Sequence, residues 1–177
     1  PVTGRVFWQF SYQPSADSRP CCGRLSRGVG IMGDKVFIGT IDARLIALDA
    51  ATGKLKWFYQ TVPQDIWDLD AVGGFIMADV QIEGKLRKVI MQAPKNGFFY
   101  VLDRTNGELL LGKQFLKKLN WASGIGKDGR PILNQLPENA NGETYVCPGF
   151  QGGTNWFSTS YNPTTGLYYF NALERCN

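Results

Sequence analysis

Two adjacent cysteines, Cys21 and Cys22, have the least ordinary chemistry in this chain. Neighbouring side chains of a regular strand point to opposite faces, so a bond between these two sulfur atoms would require a tight, strained eight-membered ring. Because such a ring closes almost no loop, its use would be local: stacking against a planar ligand, or redox chemistry. The residues alone leave a second interpretation open, in which both cysteines are reduced and half-buried.

The composition excludes several classes of function. The chain has 177 residues, a formal net charge of +4 and no histidine. The lack of histidine excludes zinc–histidine sites, Ser-His-Asp triads and c-type haem attachment, so any general base must be a carboxylate or an amine. Lysines and arginines are scattered and predict no nucleic-acid site, and no apolar run reaches the roughly 18 residues of a membrane span.

Cysteine usage also bears on the compartment. Cys147 and Cys176 lie far apart in the sequence and could form a structural bridge. Together with the adjacent pair they favour an oxidising compartment, and we predict a periplasmic location. The residues at the start of the chain do not read as a signal peptide, so export is not directly visible in the sequence.

A repeated unit organises the chain. Its fullest form runs from Ala47 to Trp57: a strand ending in Leu-Asp, a Thr-Gly turn, and a strand that resumes toward tryptophan. Echoes occur at 3–8, 101–109 and, more faintly, 161–168. A hairpin unit that recurs at about fifty residues matches a blade of a β-propeller, and the β-branched and aromatic segments between the turns favour strands. We predict an all-β fold made of propeller blades.

The blade count predicts an incomplete ring. We expect a single propeller-type domain over 1–177 with three to four blades, and a long surface loop near 124–142, which is rich in Gly, Pro and Asn. Such a chain would expose sheet edges, so we expect association with itself or with missing blades. Trp8 and Trp57 stand at the repeat position and are interpreted as packing between blades.

Five motifs together closely resemble those of the pyrroloquinoline quinone (PQQ) dependent alcohol dehydrogenases, in the order of that family. They are the repeat unit, Cys21-Cys22 with Arg27, the segment 59–68, the segment 92–104, and Gly152-Gly153-Thr154-Asn155-Trp156. The resemblance implies a shortened or partial eight-bladed propeller and an enzyme that oxidises an alcohol to an aldehyde by hydride transfer to metal-polarised PQQ. It also makes the disulfide the favoured interpretation of the adjacent cysteines.

The resemblance assigns cofactor contacts. Cys21 and Cys22 match the vicinal disulfide that lies on one face of the quinone. Arg27 matches the arginine that pairs with a PQQ carboxylate, a use that suits the planar guanidinium. Asn155 matches an amide that contacts PQQ, and Lys95 matches the cation that hydrogen-bonds the quinone oxygens. Without the family, Lys95 would be an ordinary hairpin lysine.

Two carboxylates follow in the segment after Trp67. By resemblance, Asp68 is the catalytic base that takes the alcohol proton, although such a residue alone would be a capping or solvated carboxylate. Asp70 shares a strand face with Asp68 if the segment is extended, and paired carboxylates call for a cation between them. We therefore predict a metal at Asp68 and Asp70, either calcium or a lanthanide. An acidic residue at the second position resembles the lanthanide-using members.

The chain also departs from the family. Full members are several times longer, and they carry between the segments 47–54 and 57–68 a stretch that supplies a metal-binding glutamate and asparagine and a tryptophan for the second PQQ face. That stretch is absent, so assembly of the complete site by this chain alone is doubtful. The electron acceptor would be a cytochrome c, another separate protein or a missing domain. Two alternatives remain: a non-catalytic propeller module that binds proteins, and a remnant that needs missing blades for activity.

Overall fold

Strands form all the regular secondary structure that the structure describes. The computed structural model describes residues 3–23 and 26–177, and in these ranges there is no helix, hence none that could cross a membrane. The twelve strands are β1 (Val29–Met32), β2 (Lys35–Gly39), β3 (Arg44–Asp49), β4 (Leu55–Gln60), β5 (Phe75–Ile82), β6 (Lys85–Gln92), β7 (Phe98–Asp103), β8 (Leu109–Gln114), β9 (Ala122–Ile125), β10 (Pro131–Leu133), β11 (Ser160–Asn162) and β12 (Leu167–Tyr169). The predicted all-β class is confirmed.

Two antiparallel four-stranded sheets dominate the fold. One has the order β1-β2-β3-β4 and the other β5-β6-β7-β8, which is the meander of a propeller blade. Tight turns set the register at the first hairpin of each sheet: Met32 pairs with Lys35, and Ile82 pairs with Lys85. Glu83 and Gly84 both have positive φ in the second of these turns, as a two-residue hairpin loop of the type I′ class requires.

The two sheets share one apolar core. Phe37 and Tyr59 of the first sheet cluster with Phe98 and Tyr100 of the second, and Trp121 closes the cluster with no exposed surface. Burial of each such side chain contributes about 1.5 to 3 kcal/mol. This shared core fixes the loops at one end of the two sheets relative to each other.

Tryptophans also join successive units, as the repeat predicts. The Trp57 ring lies over Gly107 in the β7–β8 turn, and its Nε1 donates to the carbonyl of Arg104 at 3.3 Å. Trp8 lies over Gly53 in the β3–β4 turn in the same way. A Cβ atom at Gly107 would come within 2.8 Å of the indole, so only glycine fits beneath the ring.

The remainder of the chain forms two-stranded hairpins. β9 pairs with β10 and β11 pairs with β12, so two complete blades and two partial ones are present among the described residues. The stretch near 124–142 is not the continuous loop that the sequence predicts. Part of it belongs to the β9–β10 hairpin, in which Asp128 and Gly129 supply the turn. Its remaining residues lie outside the named strands.

A buried carboxylate fastens the N-terminal segment to the first sheet. Asp42 accepts hydrogen bonds from the hydroxyls of Tyr12 at 2.7 Å and Thr40 at 2.6 Å, and from the backbone N–H of Ser15 at 3.2 Å. Ser18 also donates to the carbonyl of Ile41. These contacts determine where the chain leads into Cys21.

Candidate functional site

One cavity collects every residue predicted for the site. Its volume is about 270 Å³, and it lies between the loops that follow β4 and β6, the segment near residue 21, and the segment 150–156. The seven predicted residues that line it are Cys21, Cys22, Arg27, Asp68, Asp70, Lys95 and Asn155. They come from four separate stretches of chain, so the cavity is a product of the tertiary fold.

A buried cluster of three charges forms one wall. Lys95 Nζ lies 2.8 Å from Asp68 Oδ2 and 3.1 Å from Asp70 Oδ2, and it also donates to the Asp68 carbonyl at 2.9 Å. All three residues are less than one-tenth exposed. With both carboxylates ionised the cluster carries one net negative charge, and the cation between the carboxylates is the lysine ammonium group.

The carboxylates converge for a different reason than predicted. Residues 61–74 form no strand, and Asp68 has a φ of 62°, in the left-handed region that non-glycine residues seldom adopt. The condition for a shared strand face, an extended segment, is therefore not met. The two side chains meet because the turn at Asp68 redirects the backbone and Lys95 draws both carboxylates together.

Asp65 holds this turn. Its Oδ1 accepts hydrogen bonds from the backbone N–H groups of Trp67 at 3.2 Å and Leu69 at 2.9 Å, which flank Asp68. Its Oδ2 is buried and has no hydrogen-bond partner among the described residues. Burial raises the pKa of the Asp65 carboxyl to about 7. The two backbone hydrogen bonds act in the opposite direction, but their effect is smaller.

Burial also acts on the pKa values of two members of the charge cluster, Asp70 and Lys95. It raises the pKa of the Asp70 carboxyl, although the Lys95 ammonium acts in the opposite direction. Burial by itself would lower the pKa of Lys95, but the carboxylates of Asp70 and Asp68 outweigh it and the pKa is raised. Lys95 is thus held as a cation.

Backbone packing places Lys95. Its neighbour Asn96 is fully buried, and the Asn96 side chain donates to the carbonyl of Thr61 at 3.1 Å. From the other side, Gly152 approaches so closely that a Cβ there would lie 2.4 Å from Lys95 Cβ. Thr154 Oγ1 donates to the carbonyl of Ala93 at 2.6 Å. The Gly-Gly-Thr-Asn motif therefore serves first to press the 152–155 backbone against the loop that carries Lys95.

The opposite wall is open to solvent. Cys21 and Cys22 are joined by a disulfide, as the family resemblance implies, and both residues are exposed, as is Arg27. Asn155 is half-buried; its Nδ2 donates to the carbonyl of Gln151 at 2.8 Å, and its Oδ1 accepts from the N–H of Trp156 at 2.8 Å. The amide oxygen of Asn155 is therefore already engaged, and one N–H remains for a ligand.

Sequence reasoning assigned no role to Asp65 or Gly152. Asp65 stands three residues before Asp68, and a carboxylate shortly before a turn is a signal for side-chain capping of backbone N–H groups. The close approach of Gly152 had no comparable signal beyond the Gly-Gly pair, since it depends on a partner residue 57 positions away.

The donor set fits the organic cofactor better than the metal. A planar, polyanionic quinone would find a flat disulfide face, an exposed guanidinium and a buried ammonium around one cavity. For a metal ion, the described residues contain no cluster of three or more Asp, Glu, Cys or His side chains. Asp68 and Asp70 offer two carboxylates, and calcium or a lanthanide needs six or more oxygen ligands. A complete metal shell would need donors from elsewhere.

The comparisons with known proteins agree with this chemistry. Residues 42–114 match the family described as "PQQ: Glucose/ethanol/alcohol dehydrogenase, beta-propeller domain". The chain is 46% identical over 140 residues to the quinohemoprotein alcohol dehydrogenase of Comamonas testosteroni, an alignment that covers 79% of this chain and 19% of that protein. It is 44% identical over 142 residues to the 1-butanol dehydrogenase (cytochrome c) of Thauera butanivorans, covering 79% and 20%.

A solved structure shows the same architecture. The structure titled "Europium-containing methanol dehydrogenase" superposes with a TM-score of 0.72 at 29% identity, covering 78% of this chain and 27% of that one. The fold and the site thus define a PQQ-type β-propeller. Within that class, the chain belongs to the family of quinoprotein alcohol dehydrogenases and spans about a fifth of the length of the curated relatives it matches.

Proposed function

We propose that this chain builds one part of the PQQ site of a quinoprotein alcohol dehydrogenase, which oxidises an alcohol to an aldehyde. The observation that carries the proposal is the single cavity lined by Cys21, Cys22, Arg27, Asp68 and Lys95. A protein-binding scaffold would need blades but would not need these five residues around one cavity. The proposal therefore favours catalysis over the scaffold alternative.

Asp68 is proposed to take the alcohol proton. Lys95 contacts its Oδ2, and among the described residues no donor reaches Oδ1, so this oxygen is the one left to accept the substrate hydroxyl. Lys95 holds the Asp68 carboxylate in place and pairs with its negative charge before the proton arrives, and the carboxyl group becomes neutral once it has accepted the alcohol proton. PQQ, when bound, supplies the acceptor for the hydride that leaves the alcohol carbon.

Recognition of the cofactor is assigned to the exposed wall. Arg27 would pair with a carboxylate, and the Cys21–Cys22 disulfide would supply a flat surface against one face of the ring system. Asn155 would add one N–H donor. Because this wall is open in the chain, we expect the second face of the cofactor to be covered by residues from outside it.

A metal ion beside Asp68 and Asp70 is the next part of the proposal. Support comes from the convergence of both carboxylates on Lys95 Nζ and from the resemblance to a europium-containing dehydrogenase. We favour a lanthanide over calcium, because a second carboxylate raises the negative charge that a trivalent ion requires. The ion would rely on further donors from beyond these residues.

The last parts of the proposal concern the electron acceptor and the cellular location. We propose a cytochrome c as the electron acceptor, since the Thauera butanivorans relative is a 1-butanol dehydrogenase (cytochrome c). A periplasmic location is proposed from the two disulfides, which favour an oxidising compartment.

A titration of the oxidised chain with PQQ, in calcium or in lanthanum, tests the proposal. We expect saturable binding by absorbance, and a loss of about tenfold or more in affinity for Arg27→Ala, because a charge-assisted contact disappears. Alcohol-dependent dye reduction is the second readout. Asp68→Asn should bind PQQ but show no dye reduction.

Each outcome of the titration tests a different part of the proposal. A lanthanum advantage that disappears in Asp70→Ala supports the metal preference, and equal binding in both metals contradicts it. Binding without turnover identifies a site that needs further blades for catalysis. Absence of PQQ binding with either metal contradicts cofactor binding and catalysis by this chain alone, and leaves the remnant that needs missing blades or the scaffold.

A further inference from the structure

The Lys95 ammonium group lies where a metal ion would contact both carboxylates. Its Nζ is 2.8 Å from Asp68 Oδ2, 2.9 Å from the Asp68 carbonyl oxygen and 3.1 Å from Asp70 Oδ2. A calcium ion binds oxygen atoms at about 2.3 to 2.6 Å, so an ion in contact with these two carboxylate oxygens would come within a few ångströms of Nζ. Two cations that close, in a buried site, repel each other strongly.

The hydrogen-bonding capacity of Lys95 is also used up. An ammonium group has three N–H donors, and three oxygen atoms of Asp68 and Asp70 lie within 3.1 Å of it. In this arrangement Lys95 has no donor left for a quinone oxygen. A ligand in the cavity can therefore bind the ammonium only if Lys95 gives up one of its present partners.

The backbone fixes one end of Lys95, and only the other end is able to move. The Gly153 N–H donates to the Lys95 carbonyl at 2.7 Å, and a Cβ atom at Gly152 would lie 2.4 Å from Lys95 Cβ and 2.5 Å from its Cγ. The side chain lines the cavity. Rotation about the bonds beyond Cγ is thus the movement that takes the ammonium from the carboxylates into the cavity.

Asp70 is the partner that such a movement leaves uncompensated. Its Oδ1 accepts a hydrogen bond from the Val72 N–H at 3.3 Å, whereas Lys95 is the cation at its Oδ2. The Asp70 side chain is 8% exposed. A buried carboxylate that loses its counter-ion is strongly destabilising, so departure of Lys95 calls for another cation at the same place.

We propose that Lys95 is the resident counter-ion of the Asp68–Asp70 pair, and that a metal ion binds this pair only in exchange for the ammonium. The inference rests on the metal site of the proposed function and adds an order to it. The ammonium leaves Asp70 when the ion arrives, and its freed donor then faces the cavity. The described residues place no third Asp, Glu, Cys or His side chain with the pair, so the lysine is what balances it until then.

Terbium binding, measured without PQQ, tests the exchange. The ion is read by its tryptophan-sensitised luminescence, and Trp67 is the neighbour of Asp68 in the sequence. We expect Lys95→Met to bind terbium about tenfold or more tightly than the parent chain, because the repelling charge is gone. Lys95→Met with Asp70→Asn should lose this gain. Equal affinities of the parent and Lys95→Met would overturn the proposal.

Lys56→Met is the matched control for charge. Lys56 pairs with Asp49 at 3.2 Å, and neither residue lines the PQQ cavity. The variant removes the same single positive charge from the chain, and we expect its terbium affinity to equal that of the parent. A gain as large as that of Lys95→Met would assign the effect to net charge and overturn the role of the Lys95 position.

Thermal unfolding shows whether the ion replaces the lysine in the fold. We expect saturating lanthanum to raise the Tm of Lys95→Met by more than it raises the Tm of the parent, because the ion binds the folded variant more tightly. Lys95→Gln, which is neutral but keeps N–H donors, is the second variant if Lys95→Met does not fold. Failure of both variants to fold at any lanthanum concentration would overturn the proposal, since the ion would then not substitute for the ammonium.

The unaltered chain gives an independent readout. Burial slows exchange of the Lys95 ammonium protons with water, so we expect a resolved side-chain ¹⁵N NMR signal that disappears at lanthanum concentrations that fill the pair. A signal that persists with the ion bound there would overturn the exchange. None of these measurements contains PQQ. Failure of the PQQ titration would therefore contradict cofactor binding by this chain and leave the exchange standing, and the converse also holds.

Discussion

The two disulfides of this chain perform different tasks with the same covalent bond. Cys21–Cys22 joins neighbours, is exposed, and lines the cavity. Cys147–Cys176 joins residues 29 positions apart, and Cys147 is buried. Close to the second bond, Val146 and Asn177 exchange backbone hydrogen bonds at 2.9 and 3.1 Å. One disulfide belongs to the site, and the other ties the C-terminal segment to the body of the fold.

Residue type alone does not show whether a residue serves the cavity or the framework of the fold. Only the length of the closed loop and the exposure separate the two bonds, because loop closure sets the entropic gain. The charged residues raise the same question: Lys95 lines the cavity, yet it is buried as deeply as the core. The predictions below test whether each group serves the cavity or stabilises the framework of the fold.

Lys95→Met should have the largest effect on stability. It leaves the carboxylates of Asp68 and Asp70 buried without a counter-ion, and we expect a loss of about 3 to 5 kcal/mol in the free energy of unfolding at pH 7. Urea denaturation measures the loss. The loss should shrink as pH falls, because burial raises the pKa of the Asp70 carboxyl and this group becomes protonated, and Lys95→Met with Asp70→Asn should recover part of it. A loss under about 1 kcal/mol would make Lys95 a cavity residue alone.

Removal of the Cys147–Cys176 bond should come next. For a loop of this length the chain-entropy model gives a loss of about 3 to 4 kcal/mol. Urea denaturation of the double serine variant, compared with the oxidised parent chain, checks the value. PQQ binding per folded molecule should stay unchanged. A free energy of unfolding within 1 kcal/mol of the parent value would show that hydrogen bonds hold the C-terminal segment in place without the disulfide.

The Asp65 carboxyl should make stability depend on pH. Its pKa is raised to about 7 in the fold, from an ordinary value of 3.8. The folded state therefore keeps a proton that the unfolded chain loses, so this contribution is complete below about pH 4 and falls as pH rises to 7, by about 2 to 4 kcal/mol. Asp65→Asn keeps an acceptor for Trp67 and Leu69 but does not titrate. The difference in unfolding free energy between parent and variant, measured from pH 4 to 8, should follow this curve; a flat difference would contradict it.

Replacement of Cys21 and Cys22 by serine should have the smallest effect on stability. The ring closes almost no loop, and we expect a change below about 0.5 kcal/mol, with a clear loss of PQQ affinity. Thermal unfolding and the PQQ titration are run on the same sample. A large loss of stability with intact PQQ binding would reverse the comparison between the two disulfides.

Local signals predicted much of the blades. The strands around Ala47–Trp57 and 98–109 follow from β-branched and aromatic runs that end at Asp-containing glycine turns, which act over a few residues. The long loop near 124–142 was only partly predicted, because a composition rich in Gly and Asn suits both an irregular loop and the turn of the β9–β10 hairpin. The role of each site residue stays a prediction until the titration is made.

The sequence by itself determined the all-β class, the repeat and the list of residues that could act on a quinone. Only the tertiary structure decided that these residues meet. The left-handed turn at Asp68, the support from Asp65 and the approach of Gly152 to Lys95 depend on contacts between distant parts of the chain. A sequence pattern specifies which side chains are present and which local geometry they prefer, whereas packing between two sheets sets the distances at which charges interact.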